Sequence, residues 1–172
     1  MQKKKNKFYF LLPVLALAIL TLAGCGKSIS QKASELAAEK MIEAQSGGKA
    51  NADINGNNVK VETEQGKFES GENVKLPSDF PTDVYIIDGT IKVAVTGQAG
   101  ESQTVSIETD KSVEEASAAY QEKLKSAGWK ITGTINFGGS ATVVAEKDNR
   151  SVSVVIGRSD DKTTVTVGVA EK

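Results

Sequence analysis

The chain has 172 residues, of which 39% are hydrophobic, 25% charged and 5% aromatic, with a formal net charge of −1, one cysteine and no histidine. The lack of histidine excludes Ser-His-Asp and Cys-His nucleophile systems, histidine general bases and histidine-ligated zinc. A single cysteine excludes an intrachain disulfide and a thiolate metal cluster. The length suits one domain, or one domain with a small appendage.

Residues 1–7 are polar and basic, with Lys3, Lys4, Lys5 and Lys7, and residues 8–23 form an apolar run broken early by Pro13. The lysines hold the start of the chain on the cytoplasmic side while the apolar run enters the bilayer. That run falls short of the roughly 20 apolar residues of a permanent span. The small side chains of Ala23 and Gly24 suit a peptidase cleaving beside them. Leu22-Ala23-Gly24-Cys25 resembles the lipobox of bacterial lipoproteins. The resemblance implies a diacylglyceryl group on the sulfur of Cys25. It also implies a signal peptidase that recognises Leu22, Ala23 and Gly24 and cuts after Gly24. The expected location is membrane-anchored and extracytoplasmic, at the outer leaflet of the cell membrane or, in a two-membraned bacterium, in the periplasm or outer membrane. Gly26 stands where many lipoproteins kept in the inner membrane carry aspartate, so the choice of membrane stays open. Without the leader lysines the chain is mildly acidic and has no basic cluster, which argues against nucleic acid as a partner.

After a short polar link, Ile29, Ala33, Leu36, Ala37, Lys40, Met41 and Ala44 recur at helical spacing. Ser30 is placed to cap this helix, and Ser46-Gly47-Gly48 to end it. The narrow, alanine-rich stripe is expected to pack on the chain's own sheet; the alternative is a partner-binding or membrane-lying helix. Residues 50–70 read as a small β-meander, with turns at Asn55-Gly56-Asn57-Asn58 and Glu64-Gln65-Gly66. Asp53, Asn55, Asn57 and Glu64 fall in a calcium-loop register, but Asn58 stands where that loop needs glycine, so a hairpin is expected. Pro77 and Pro81 make residues 74–81 a stiff connector, with Leu76 and Phe80 docking on the next domain.

Alternating Ile91, Val93 and Val95, then Val105 and Ile107, predict a hairpin. Ser112-Val113-Glu114-Glu115 matches a capping box. It opens a helix to about Ala127 with Val113, Ala116, Ala119 or Tyr120, and Leu124 on one face, and Gly128 as its terminator. Strands are predicted over 129–137, 141–147, 151–157 and 163–169. The expected fold is α+β: an antiparallel sheet in the order ββαββββ with one helix on one face, preceded by an N-terminal helix and a small meander. The boundaries divide the chain into a signal peptide (1–24), a lipidated N-terminus and helix (25–49), the meander (50–74) and the α+β domain (75–172).

Leu76-Pro77-Ser78-Asp79-Phe80-Pro81-Thr82-Asp83, with Tyr120-Gln121-Glu122-Lys123-Leu124-Lys125-Ser126-Ala127-Gly128-Trp129 later in the chain, is similar to a pattern in small uncharacterised bacterial lipoproteins. It implies a location and a fold, and no activity.

The search for chemistry finds structural uses instead. Gly138-Gly139-Ser140 lacks the lysine and adjoining helix of a phosphate loop. Glu114-Glu115 and Asp160-Asp161 are neighbours that point apart, so neither pair makes facing catalytic carboxylates. Trp129, just after Gly128, is expected to plug helix against sheet. No cofactor, metal or catalytic residue is expected. The expected function is a non-catalytic binding module that presents its sheet to an envelope protein or other envelope component. Two alternatives stand beside it: a carrier holding a small apolar ligand in a groove between helix and sheet, and a small hydrolase or transferase working without histidine.

Overall fold

The computed structural model describes residues 29–172, so the expected signal peptide and Leu22, Ala23, Gly24 and Cys25 lie outside the described residues. Helix α1 (Ile29–Gln45) is followed by β1 (Ala50–Asn55), β2 (Asn58–Thr63) and β3 (Gly66–Ser70). An irregular segment leads to β4 (Thr90–Gly97), β5 (Ser102–Thr109) and helix α2 (Val113–Ser126). Strands β6 (Lys130–Phe137), β7 (Ser140–Lys147), β8 (Arg150–Ser159) and β9 (Lys162–Glu171) complete the chain.

All the strands join one nine-stranded sheet in the order β1-β2-β3-β4-β5-β9-β8-β7-β6, and every neighbouring pair is antiparallel. This corrects the expected fold. The molecule is sheet-dominated, and the meander is not a separate unit ahead of a ββαββββ domain. Strand β3 pairs with β4 from Gly66↔Gly97 to Ser70↔Val93, so the meander forms one flank of the sheet. The pairing of β5 with β9 closes the centre by joining segments far apart in the chain.

The sheet buries opposite faces at its two ends. Reading across the register, Val95, Phe68, Val61 and Ala52 share one face, while Ala94, Glu69, Lys60 and Asp53 share the other. In β1–β3 the first face is apolar, and Ala50, Ala52 and Val61 are buried there with Val59, Phe68 and Ile42 of α1. The second face is wet and charged in these strands, where Lys60 meets Glu62 and Glu69, and Lys67 meets Glu62. From β4 onward the assignment inverts. Val105, Ile107, Val143, Val154, Ile156, Val165 and Val167 lie fully buried beneath α2 and the 74–88 segment. The other face of these strands stays open. Strict alternation in β5, β7 and β9 is what this one-sided burial requires.

Helix α2 begins with the expected capping box. Ser112 Oγ accepts from Glu115 N–H at 3.2 Å, and the Glu115 carboxylate accepts from Ser112 N–H at 2.8 Å. At its other end Gly128 takes φ 85°. Gly128 N–H donates to Lys125 O and Trp129 N–H to Leu124 O, the two bonds of a Schellman end. The face that α2 buries is Val113, Ala116, Ser117, Tyr120 and Leu124, which selects Tyr120 over Ala119.

Candidate functional site

Four regions bear on function: the space under α2, the knot around Asp83, the acidic pairs, and a cleft beside the first half of α2. Under α2 the space is filled. Tyr120 and Leu124 are fully buried against the sheet, and Trp129 plugs the helix end. Its indole N–H donates to Asp83 O at 3.0 Å. Tyr120 stacks edge-on against Tyr85, with ring centroids 5.1 Å apart, and its hydroxyl accepts from Ile87 N–H at 3.3 Å. Burial pushes that hydroxyl well above the ordinary tyrosine range. The expected groove between helix and sheet is therefore occupied by the protein's own aromatic side chains.

Asp83 ties the irregular segment to the β7–β8 hairpin. Arg150 donates to both carboxylate oxygens, at 2.9 and 2.8 Å, and Lys147 donates to Oδ2 at 2.8 Å. Lys147 also donates to Ala127 O at the end of α2, and the Arg150 guanidinium lies 5.0 Å from the Trp129 ring. The Arg150 guanidinium, helped by Lys147 and opposed by partial burial, holds the Asp83 carboxyl well below the usual carboxylate range. Both cations bind one aspartate, so the cluster is a clasp between the irregular segment and the β7–β8 hairpin. Sequence reading missed it, because Asp83 lies 64 and 67 residues before its partners. In the same segment Phe80 is buried as expected, whereas Leu76 remains exposed.

The acidic pairs are structural. The Ser112 N–H lowers the Glu115 carboxylate below its ordinary range as part of the helix cap, and Asp160 takes φ 53° at the β8–β9 turn. Asp53, Asn55, Asn57 and Glu64 lie in and around the β1–β2 hairpin. No group of three potential metal ligands occurs among the described residues. Also among the described residues, no helix is long and apolar enough to cross a membrane.

The cleft has about 460 Å³ of volume, within the roughly 300–1,000 Å³ range of small-molecule sites. One wall is the first half of α2, with Val113, Glu114, Ser117, Ala118 and Gln121; the other is the β6–β7 turn from Asn136 to Ala141. That turn is shaped by its glycines. Phe137 pairs with Ser140, leaving a two-residue loop in which Gly138 and Gly139 take φ 58° and 78°. Both values lie in the left-handed region that a tight hairpin of this kind demands. No other group approaches within 4 Å of where their side chains would be, so the loop stands clear of the body. Phe137, at the rim, is 85% exposed. The sequence pointed to the turn and to the helix but held no signal that the two face each other.

A family model described as START domain-like matches residues 90–168, less than half of the chain, from the start of β4 into β9. Both walls of the cleft lie inside that stretch. START domain-like families are ligand-binding modules. No curated protein and no solved structure matches the chain.

Proposed function

We propose that this chain is a non-catalytic binding module, tethered outside the cell membrane by lipid on Cys25, that seats a small ligand with an apolar portion beside α2. The observation that carries the reading is the cleft between α2 and the β6–β7 turn, set within the residues that match the START domain-like model. Its wall combines Val113, Ala118 and Phe137 with a few polar groups on Glu114, Ser117, Gln121 and Asn136. That is the composition of a site that holds an apolar body and orients a polar end. The filled interior beneath α2 favours this cleft over the groove expected from sequence as the ligand's seat. The tether rests on the Leu22-Ala23-Gly24-Cys25 lipobox.

The test is titration with an acyl chain carrying an environment-sensitive fluorophore. Ala118 is exposed on the cleft wall, so Ala118→Trp fills the cleft without disturbing the core. Saturable binding by the wild type that Ala118→Trp abolishes supports the reading; equal binding by both, or none by either, contradicts it.

A second reading, docking of an envelope protein, is favoured by the open sheet face. Register places Thr142, Val155, Thr166 and Ser106 in one row and Val144, Ser153, Gly168 and Thr104 in the next, with no charged residue among them. Crosslinking from Thr166→Cys in intact cells to one recurrent protein would support it.

A further inference from the structure

The stripe of α1 expected to pack on the sheet faces away from it. The side chains turned toward the sheet are those of Glu35, Ala38, Glu39 and Ile42, all partly buried. Glu39 Oε1 accepts from Ile54 N–H at 2.8 Å and Glu35 Oε1 from Gly56 N–H at 2.9 Å. The helix therefore caps the free edge of β1 with carboxylates, which satisfies donors that would otherwise invite another strand. On its other side Ala33, Leu36, Ala37, Met41 and Ala44 are exposed, with Leu36 at 60% and Met41 at 61%.

Glu35 and Glu39 are turned toward the sheet and partly buried, whereas Lys40 is exposed among the free-side residues and pairs with Glu43 at 3.4 Å. The free face thus combines two large apolar side chains and three alanines with Lys40, whose charge Glu43 balances. An exposed apolar stripe of this kind fits the headgroup region of a bilayer that another group already holds close.

The chain outside the described residues says where such a bilayer would be. Cys25 lies four residue steps before Ile29, the first residue of α1, so the span is at most about 14 Å of extended chain. A lipid on Cys25 would hold the start of α1 at the membrane surface. We infer that α1 lies on the lipid bilayer with its Ala33–Leu36–Ala37–Met41–Ala44 stripe in the headgroup region, as the second membrane contact beside the Cys25 lipid. This rests on the reading that Cys25 carries the anchor. The diacylglyceryl group supplies the anchoring itself, and the contact along α1 adds to it and sets how the molecule sits on the bilayer. The helix also fixes the orientation of the molecule, because it is tied to the β1 edge by Glu35 and Glu39.

The experiment uses the full lipidated chain, purified from its own membrane and reconstituted in vesicles of phosphatidylcholine and phosphatidylglycerol. With the Cys25 sulfur occupied by lipid, Leu36→Cys and Asp160→Cys each give one site for an environment-sensitive fluorophore. Spin-labelled lipid should quench the label at position 36 and leave the one at 160 bright. Leu36→Glu combined with Met41→Glu, both at exposed positions, should speed release from the vesicles by roughly tenfold or more. A label at 36 that stays as open to aqueous iodide on vesicles as in solution overturns the inference. So does one shielded from iodide but unreached by the lipid quencher, which would place a second copy or another protein on the stripe. A Cys25 thiol found unmodified by mass removes the anchor itself and the inference with it, an outcome distinct from a lipidated chain whose residue 36 is wet.

Discussion

Asp83 shows how one side chain holds a segment that has no strand or helix of its own. The 74–88 stretch carries Phe80, Val84 and Ile87 into the core, and the aspartate fastens it to two cations on the neighbouring hairpin. Replacing the aspartate leaves Arg150 and Lys147 half-buried without their partner. We predict that Asp83→Asn destabilises the fold by about 2 kcal/mol, read as a lower midpoint in urea at an unchanged slope. The pH dependence has a definite sign. The folded carboxyl titrates well below its ordinary 3.8, so its contribution is fully present above that value and is lost as the pH falls below it. The wild type should therefore lose its advantage over Asp83→Asn progressively below about pH 4, while the gap stays constant at neutral pH. Tyr120 acts at the same scale. Tyr120→Phe keeps the ring but leaves the Ile87 N–H without its acceptor, at a cost of about 1–3 kcal/mol.

At the scale of elements, α2 was legible because its ends carry local chemistry. Ser112 and Glu115 cap each other, and Gly128 supplies the left-handed residue where the helix stops. Ser112→Ala should cost about 1 kcal/mol, measurable by thermal unfolding, with a lower Tm and an unchanged far-ultraviolet spectrum at low temperature. Helix α1 was legible as a helix but not in its orientation. Its apolar spacing pointed Leu36 and Met41 inward, yet the helix meets the sheet through Ile42 in the small core and through Glu39 and Glu35 on the N–H groups of Ile54 in β1 and Gly56 in the turn after it. An edge strand's unpaired donors attract acceptors, and hydrophobic periodicity carries no information about them. Most strands were recognisable from alternation, and their partners were not. The β5–β9 and β3–β4 pairings are set by tertiary packing, and the residues between them give no local sign of it.

Over the whole molecule, two cores lie on opposite faces of one sheet: a small one under α1 and a large one under α2. This inversion explains why the meander reads from sequence as a separate unit. Its alternation is consistent within itself but out of phase with that of the strands it joins. The same arrangement leaves three separate surfaces open. The outer side of α1 faces away from the sheet, the face of β4–β9 remote from α2 is open, with Ser106, Thr142, Val155 and Thr166 across its middle and Glu108 and Glu146 toward its ends, and the cleft lies between α2 and the β6–β7 turn. The cleft was half legible: the glycine turn and the helix start are visible in the sequence, and their juxtaposition comes from the β6–β7 pairing and the packing of α2 on both strands. The lipid tether, by contrast, is a matter of sequence alone.

The most direct test is native mass spectrometry of the lipidated chain extracted from the membranes of its own cells, beside Ala118→Trp prepared in the same way. A ligand seated beside α2 predicts a wild-type chain carrying one small molecule of discrete mass, released on unfolding and absent from Ala118→Trp. A wild-type chain with no mass beyond that of the lipidated polypeptide, or the same bound mass on both proteins, would contradict it.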